Sequence, residues 1–146
     1  MEPSATDQFE APNSGPHDDL ASALRADHRR IEAGLVDLCE RARCGEVREC
    51  DEIWERFSAD LERHMQFEER HLFPVYARTG PIAAATVAAL GREHQLLRAR
   101  LAQLGIDAQL HQLRADKIES FVAALRVHAA LEDRTFHPWL AESGIF

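Results

Sequence analysis

Apolar residues recur at alternating spacings of three and four positions in four stretches of this chain. Such spacing puts them on one face of an α-helix, so each stretch predicts an amphipathic helix with one apolar stripe. The four stripes are Leu24, His28, Ile31, Leu35 and Leu38; Ile53, Phe57, Leu61, His64, Glu68 and His71; Val87, Leu90, His94, Leu97, Leu101 and Leu104; and Ile118, Phe121, Leu125, His128, Glu132, Thr135 and Trp139. Four such helices joined by short connections predict an all-α protein, an up-down-up-down four-helix bundle.

Glycine and proline indicate where the helices should begin and end. Gly45 should end the first helix, and the second should run from about Glu46 to about His71, where Pro74 then disrupts or kinks it. Pro81 suits the first position of the third helix, and Gly105 should close that helix. Pro138 should fall near the end of the fourth.

The N-terminal segment differs from the rest in composition. It contains Pro3, Pro12, Gly15 and Pro16, with Phe9 as its one aromatic side chain. Such a segment cannot bury enough apolar surface to offset the entropy lost on ordering. The sequence therefore predicts a flexible tail over residues 1–16 and a bundle over residues 17–146.

Each apolar stripe contains a histidine, and two stripes also contain a glutamate four residues later. The pattern His64-x-x-x-Glu68 recurs as His128-x-x-x-Glu132, 64 residues further on, and six positions match between residues 64–74 and 128–138. Residues four apart lie above one another on a helix, so each copy directs an imidazole and a carboxylate at the same point.

The halves of the chain also match in order. An acid precedes the first histidine of each half, in Asp27-His28 and Glu93-His94. Two equivalent hairpins about a pseudo-twofold axis would bring six polar groups to the centre of the bundle. The six candidate metal ligands are His28, His64, Glu68, His94, His128 and Glu132.

Buried carboxylates and imidazoles require compensation, and metal ions would provide it. Imidazole with carboxylate suits iron, manganese or zinc, whereas six side chains are too many for one tetrahedral zinc ion. One consistent arrangement puts two histidines on each of two metals, His28 with His64 and His94 with His128, and lets Glu68 and Glu132 bridge. With a bridging oxo or hydroxo group, each metal keeps one position open for O2, NO or peroxide.

Several other polar residues are weaker candidates. His71 continues its stripe and could be a further ligand, although a polar residue at the end of the bundle is the favoured interpretation. Glu32 lies beside its stripe and should orient a ligand or face solvent. Glu69 and Asp133 could orient imidazoles or pair with neighbouring arginines. The remaining histidines are expected at the surface: His17, His111 and His137.

Charge and cysteine content limit the partners and the compartment. The net charge is −8, and no basic stripe is present, which argues against nucleic acid or an anionic membrane as a partner. No apolar run is long enough to span a bilayer, and the N-terminus does not resemble a signal peptide. Cys39, Cys44 and Cys50 lack metal-ligand spacing and suit a reducing compartment. We therefore expect a cytoplasmic protein.

At these residues the chain resembles the hemerythrin-like family of HHE cation-binding domains over essentially all of residues 18–142. The resemblance lies in His28, in His64-x-x-x-Glu68 followed by Leu72-Phe73-Pro74, in Glu93-His94, and in His128-x-x-x-Glu132. It implies two non-haem iron ions (Fe2+/Fe3+) inside a four-helix bundle, bridged by the two glutamates.

The chain departs from the oxygen-carrying members in one respect. The oxygen-carrying members are similar to one another in having two histidines one turn apart on the third helix and five ligand histidines in all. In this chain the residues one turn from His94 are Leu90 and Arg98. The fifth histidine is missing, which weakens an oxygen-carrier function. The remaining set is similar to that of bacterial proteins for iron-cluster repair and nitrosative stress, but these have a further cysteine-containing N-terminal segment, and residues 1–16 contain no cysteine.

Three functions are compatible with these observations. The first is a di-iron protein that binds or senses O2, NO or peroxide, or stores and donates iron under oxidative or nitrosative stress. The second is a di-iron enzyme that reduces NO, O2 or peroxide, which turnover beyond one equivalent per site would reveal. The third is a metal-free helical interaction module whose polar residues are merely hydrogen bonded, and in which leucine at positions 64 and 128 should stabilise the fold.

Overall fold

The computed structural model describes residues 16–142, and within them every long element is helical. The elements are α1 (Pro16–Arg43), α2 (Val47–Phe67), a π-helical turn (Glu68–Leu72), α3 (Phe73–Ala77), α4 (Pro81–Gln109) and α5 (Ala115–Glu142). Since α2, the π-helical turn and α3 follow one another without a break, they form one of four long rods. Helix α1 packs against α2 and α5, and α4 packs against α2, α3 and α5, which confirms the predicted all-α bundle.

The chain ends lie outside this description. Residues 1–15 and 143–146 are not among the described residues, and the former comprise nearly all of the predicted tail. Pro16, which the sequence assigns to the tail, is the first residue of α1. None of the described helices combines the length and the apolar character that crossing a bilayer requires.

One of the two helix ends that glycine predicts differs from the structure. Gly45 lies between α1 and α2 as expected, with a left-handed φ of 71° that glycine adopts without strain. Gly105, however, does not end the third helix, because α4 continues to Gln109. Leu104 and Ala108, one turn apart, are both buried there, so the apolar stripe extends past the glycine.

The helix after Glu68 is wider than the sequence predicts. The N–H of Phe73 donates to the carbonyl oxygen of Glu68, five residues earlier, which is the spacing of a π-helix. Pro74 follows in the first turn of α3, where its missing N–H costs nothing. The extra residue in the turn moves Leu72 and Phe73 into the core and leaves His71 exposed.

The core consists of two apolar clusters at different heights along the bundle. The first cluster includes Ile31, Leu35, Leu38, Trp54, Phe57, Leu61, Met65, Leu97, Leu104, Phe121 and Leu125. The second includes Ala21, Leu24, Leu72, Phe73, Tyr76, Ala83, Leu90, Phe136 and Leu140. In each long rod, a polar residue falls in sequence between members of the two clusters. The bundle thus has a polar layer between two apolar ones.

Candidate metal centre

The polar layer contains the six predicted ligands. Glu68, His94 and Glu132 are completely buried, and His64 and His128 are 6% and 3% exposed. The side chain of His28 is 13% exposed. Charged or chargeable groups this deep in a core are rare unless they are paired or bind a metal. The structure therefore brings the six together at one height of the bundle, and their role as ligands stays a prediction.

Two glutamates lie at the middle of this layer. Glu68 and Glu132 belong to both groups of side chains whose ligand atoms lie within 4.8 Å of one another. The first group is completed by His28 and His137, and the second by His94 and His128. Shared carboxylates between two sets of imidazoles are what a pair of bridged metal ions requires.

The imidazoles on each side approach one another through their Nε2 atoms. His28 Nε2 lies 2.8 Å from His64 Nε2, and His94 Nε2 lies 3.1 Å from His128 Nε2. Nitrogens bound at right angles to one metal ion, each about 2.1 Å away, would be separated by about 3.0 Å. The spacing on both sides therefore fits two ligands of a single ion, in the pairs that the sequence predicts.

His137 is the functional candidate that the sequence analysis missed. It was expected at the surface, but it is completely buried, and its Nε2 lies 3.5 Å from Glu132 Oε2. The error follows from the register of α5: beyond Glu132 the buried positions are Phe136, His137 and Leu140, and the predicted Thr135 and Trp139 are only half-buried. The repeat offered one indication that His137 is buried. His137 corresponds to Phe73 in the first copy, and the structure buries both residues.

The structure thus supplies a fifth imidazole, although not from the third helix. His137 comes from α5, nine residues after His128, and its ring centroid lies 5.5 Å from that of His28. The third helix has no second histidine one turn from His94, as the sequence analysis states, and the fifth imidazole near the centre comes from another helix.

Carboxylates lie behind the outer nitrogens of four of these imidazoles. Asp27 is 3.3 Å from His64 Nδ1, Glu93 is 2.6 Å from His128 Nδ1, and Asp133 is 2.7 Å from His137 Nδ1. Glu69 lies 3.4 Å from His94 Nδ1, a contact with ion-pair distance but without hydrogen-bond geometry. Such partners hold an imidazole with its other nitrogen free to bind a metal.

The acid before each first histidine acts across a helix pair. Asp27 in α1 contacts His64 in α2, and Glu93 in α4 contacts His128 in α5. The two acid-histidine dipeptides therefore have equivalent roles in the two halves. Arg98 adds a further element, because its guanidinium donates two hydrogen bonds to Glu69 at 2.6 and 2.8 Å and lowers the pKa of that carboxyl group.

The centre contains polar atoms that no protein group satisfies. Among the described residues, both carboxylate oxygens of Glu68 and of Glu132, together with His137 Nε2, are buried without a hydrogen-bond partner. Imidazole nitrogens lie close, as at 2.7 Å between His128 Nε2 and Glu132 Oε1, but not in an orientation that makes a hydrogen bond. Unsatisfied buried oxygens are costly, and metal coordination would satisfy them.

Electrostatics favour a cation at the same place. Burial disfavours the charged form of His94, but the nearby carboxylates of Glu132 and Glu68 outweigh it and raise its pKa to about 9. Burial acts against the charge of Glu132 as well, yet the imidazoles of His128 and His137 hold its pKa well below the usual range. The layer therefore keeps Glu132 ionised and draws positive charge inward.

Two of the weaker candidates, His71 and Glu32, lie away from the centre. His71 is exposed, and its ring packs against that of Phe67 at a centroid distance of 5.2 Å. Glu32 accepts a hydrogen bond from Arg126 at 2.6 Å near the surface. Neither belongs to the groups of potential ligands.

Imidazoles and carboxylates converge at the centre of this bundle from all four of its long rods. This fold and this site together define the class of metal-binding helical bundles. The family description Hemerythrin HHE cation binding domain matches residues 19–140, and the chain belongs to this family. The resemblance found in the sequence is thereby confirmed, and the protein is a cation-binding one. No match was found among curated proteins or among solved structures.

The outer carboxylates give a direct test of the centre. Replacing Asp27→Asn should weaken metal binding by about 10- to 100-fold, because His64 loses the negatively charged partner that orients it and raises its basicity. Competition of the protein with a chelating indicator for Zn(II) measures the change. Glu32→Gln is the control, since Glu32 is also an acid of α1 but pairs with Arg126. Equal affinities for the two variants would contradict this role for Asp27.

Proposed function

We propose that this chain is a non-haem di-iron protein of the hemerythrin-like family. It holds two iron ions with a bridging oxo or hydroxo group, and it binds or senses O2, NO or peroxide, or stores and donates iron under oxidative or nitrosative stress. The observation that carries the proposal is the position of Glu68 and Glu132. Both are completely buried, both lack hydrogen-bond partners, and both are shared by two sets of imidazoles.

The donor set supports iron over calcium, magnesium and a structural zinc ion. Nitrogen and carboxylate oxygen together suit iron, whereas calcium and magnesium prefer oxygen alone, and structural zinc sites favour four ligands with frequent thiolate. Cys39 and Cys50 are buried in the first apolar cluster, away from the polar layer. When bound, an iron pair supplies an exchangeable coordination position and one-electron redox chemistry.

The protein groups around the centre control access to it. Phe73 lies against His94 at a centroid distance of 5.3 Å, and Phe136 lies against His137 at 5.6 Å. These rings belong to the second apolar cluster and exclude water from one side of the polar layer, while Leu61, Met65 and Leu125 of the first cluster close the other. A dry surround favours small, weakly polar ligands over larger polar ones.

The proposal extends to compartment and partners. Free cysteines at positions 39, 44 and 50 support a cytoplasmic location, since such thiols persist in a reducing compartment. A net charge of −8 supports a small-molecule ligand over nucleic acid or an anionic membrane surface.

Anaerobic reconstitution with Fe(II) tests the proposal. The protein should bind two iron ions per chain, and later addition of O2 and then NO should change the near-ultraviolet spectrum in saturable steps. His71→Ala should bind the same amount, because His71 is exposed and outside the ligand groups. A protein that binds no iron under these conditions would refute the proposal, and consumption of NO or peroxide beyond one equivalent per site would favour an enzyme.

A further inference from the structure

The two halves of the centre differ at one position of the repeat. A shift of 64 residues relates His64 to His128, Glu68 to Glu132 and Phe73 to His137. The first two pairs are chemically identical, so the centre is nearly symmetric about its middle. In the third pair, a phenyl ring matches an imidazole.

The two unlike residues occupy equivalent surroundings. Phe73 is 4% exposed, and its ring centroid lies 5.3 Å from that of His94. His137 is completely buried, and its ring centroid lies 5.5 Å from that of His28. Each ring therefore lies beside the first histidine of one half, but only one of the two can coordinate a metal.

His137 is held as metal-binding histidines are held. Its Nδ1 lies 2.7 Å from Asp133, one helical turn earlier, which fixes the ring orientation. Its Nε2 is buried without a hydrogen-bond partner, and it belongs to a group of potential ligands with His28, Glu68 and Glu132. This nitrogen therefore faces the carboxylates at the centre, 3.5 Å from Glu132 Oε2, where a cation bound by His28 and the two glutamates would also reach it.

We infer that His137 is a seventh metal ligand and that it makes the two metal ions unequal. This inference rests on the proposed di-iron function. The ion beside α1 then has three imidazoles, from His28, His64 and His137, in addition to the two bridging carboxylates. The other ion has only His94 and His128, and the exchangeable position for a small ligand belongs to it.

The surface on the side of His128 agrees with this assignment. An open groove of about 410 Å³ between α4 and α5 reaches His128. Its lining combines apolar side chains, such as Leu97 and Val127, with the polar Glu93, Arg100 and Ser120. It brings apolar surface to the edge of the imidazole on the less coordinated side.

The matched pair Phe73 and His137 provides the test. His137→Phe leaves two imidazoles on each ion, and Phe73→His gives three to each, while both exchanges preserve a buried aromatic ring. Mössbauer spectra of the iron-reconstituted protein should show two doublets of equal area for the unmodified chain and one doublet for each single variant. Azide, as a probe of the exchangeable position, should bind to Phe73→His at least about tenfold more weakly than to the unmodified chain. His137→Phe should still bind azide, because both of its ions keep an exchangeable position.

Outcomes separate this inference from the proposed function. An unmodified chain that binds fewer than two iron ions overturns both. If it binds two ions but His137→Phe keeps two doublets, or Phe73→His binds azide with unchanged affinity, the inference alone fails. The double exchange, His137→Phe with Phe73→His, should restore two doublets, because the third imidazole has then moved to the other ion.

Discussion

Removing the bound metal should lower the melting temperature of this protein by about 20 °C. Glu68 and Glu132 are completely buried and their oxygens have no hydrogen-bond partner, so the metal-free fold keeps the cost of two desolvated carboxylates. At free metal concentrations about 1,000-fold above Kd, each site adds about 4 kcal/mol to the free energy of unfolding. Calorimetry of the Fe(II)-loaded and chelator-treated protein under anaerobic conditions measures the difference.

The difference in melting temperature should widen between pH 6 and pH 8. In the metal-free protein the pKa of His94 is raised to about 9, above the value of about 6.5 in the unfolded chain. The stability that its protonation contributes is fully present below pH 6.5 and is lost as the pH rises toward 9. Metal binding needs the neutral imidazole, so protons compete less as the pH rises. A difference in melting temperature that becomes smaller between pH 6 and pH 8 would contradict the role of His94 as a metal ligand beside the two glutamates.

The bundle and the positions of six polar residues could be predicted because they depend only on local helix geometry. A glutamate four residues after a histidine faces the same way in any α-helix, so the pairs beginning at His64 and His128 needed no tertiary information. The stripes around them also fixed the height of the polar layer, because Leu61 and Leu125 lie one turn before these histidines.

The register beyond the two glutamates could not be predicted in this way. An ideal α-helix makes His71 and Thr135 the next inward residues, but the structure buries Leu72 and Phe73 in the first repeat and Phe136 and His137 in the second. The π-helical turn over Glu68–Leu72 accounts for the first shift. Pro138 has no N–H to donate within α5, which weakens the regular hydrogen bonding at the matching place. Which residues face the core after each glutamate therefore depends on packing and local hydrogen bonding, and the spacing of apolar residues does not reveal it.

Replacing both bridging carboxylates by leucine, Glu68→Leu with Glu132→Leu, should abolish metal binding and stabilise the metal-free fold by about 1 to 4 kcal/mol. The two effects have opposite signs because the same oxygens that a metal ion needs are unsatisfied without it. The remaining imidazoles lose the two negative charges at the centre of the layer. His28 with His64, and His94 with His128, already lie at hydrogen-bonding distance from one another, so they stay paired.

Denaturant unfolding of the metal-free proteins and metal titration together decide the outcome. The double glutamine variant, Glu68→Gln with Glu132→Gln, is the control, since it removes the charges but keeps buried polar groups and should gain less stability than the leucine variant. A metal-free interaction module would bind no metal in the unmodified chain, so the titration separates the two functions. If leucine at both positions destabilised the bundle instead, the contacts of the glutamates with His64, His94 and His128 would already satisfy the central oxygens, and the expected gain in stability would be wrong.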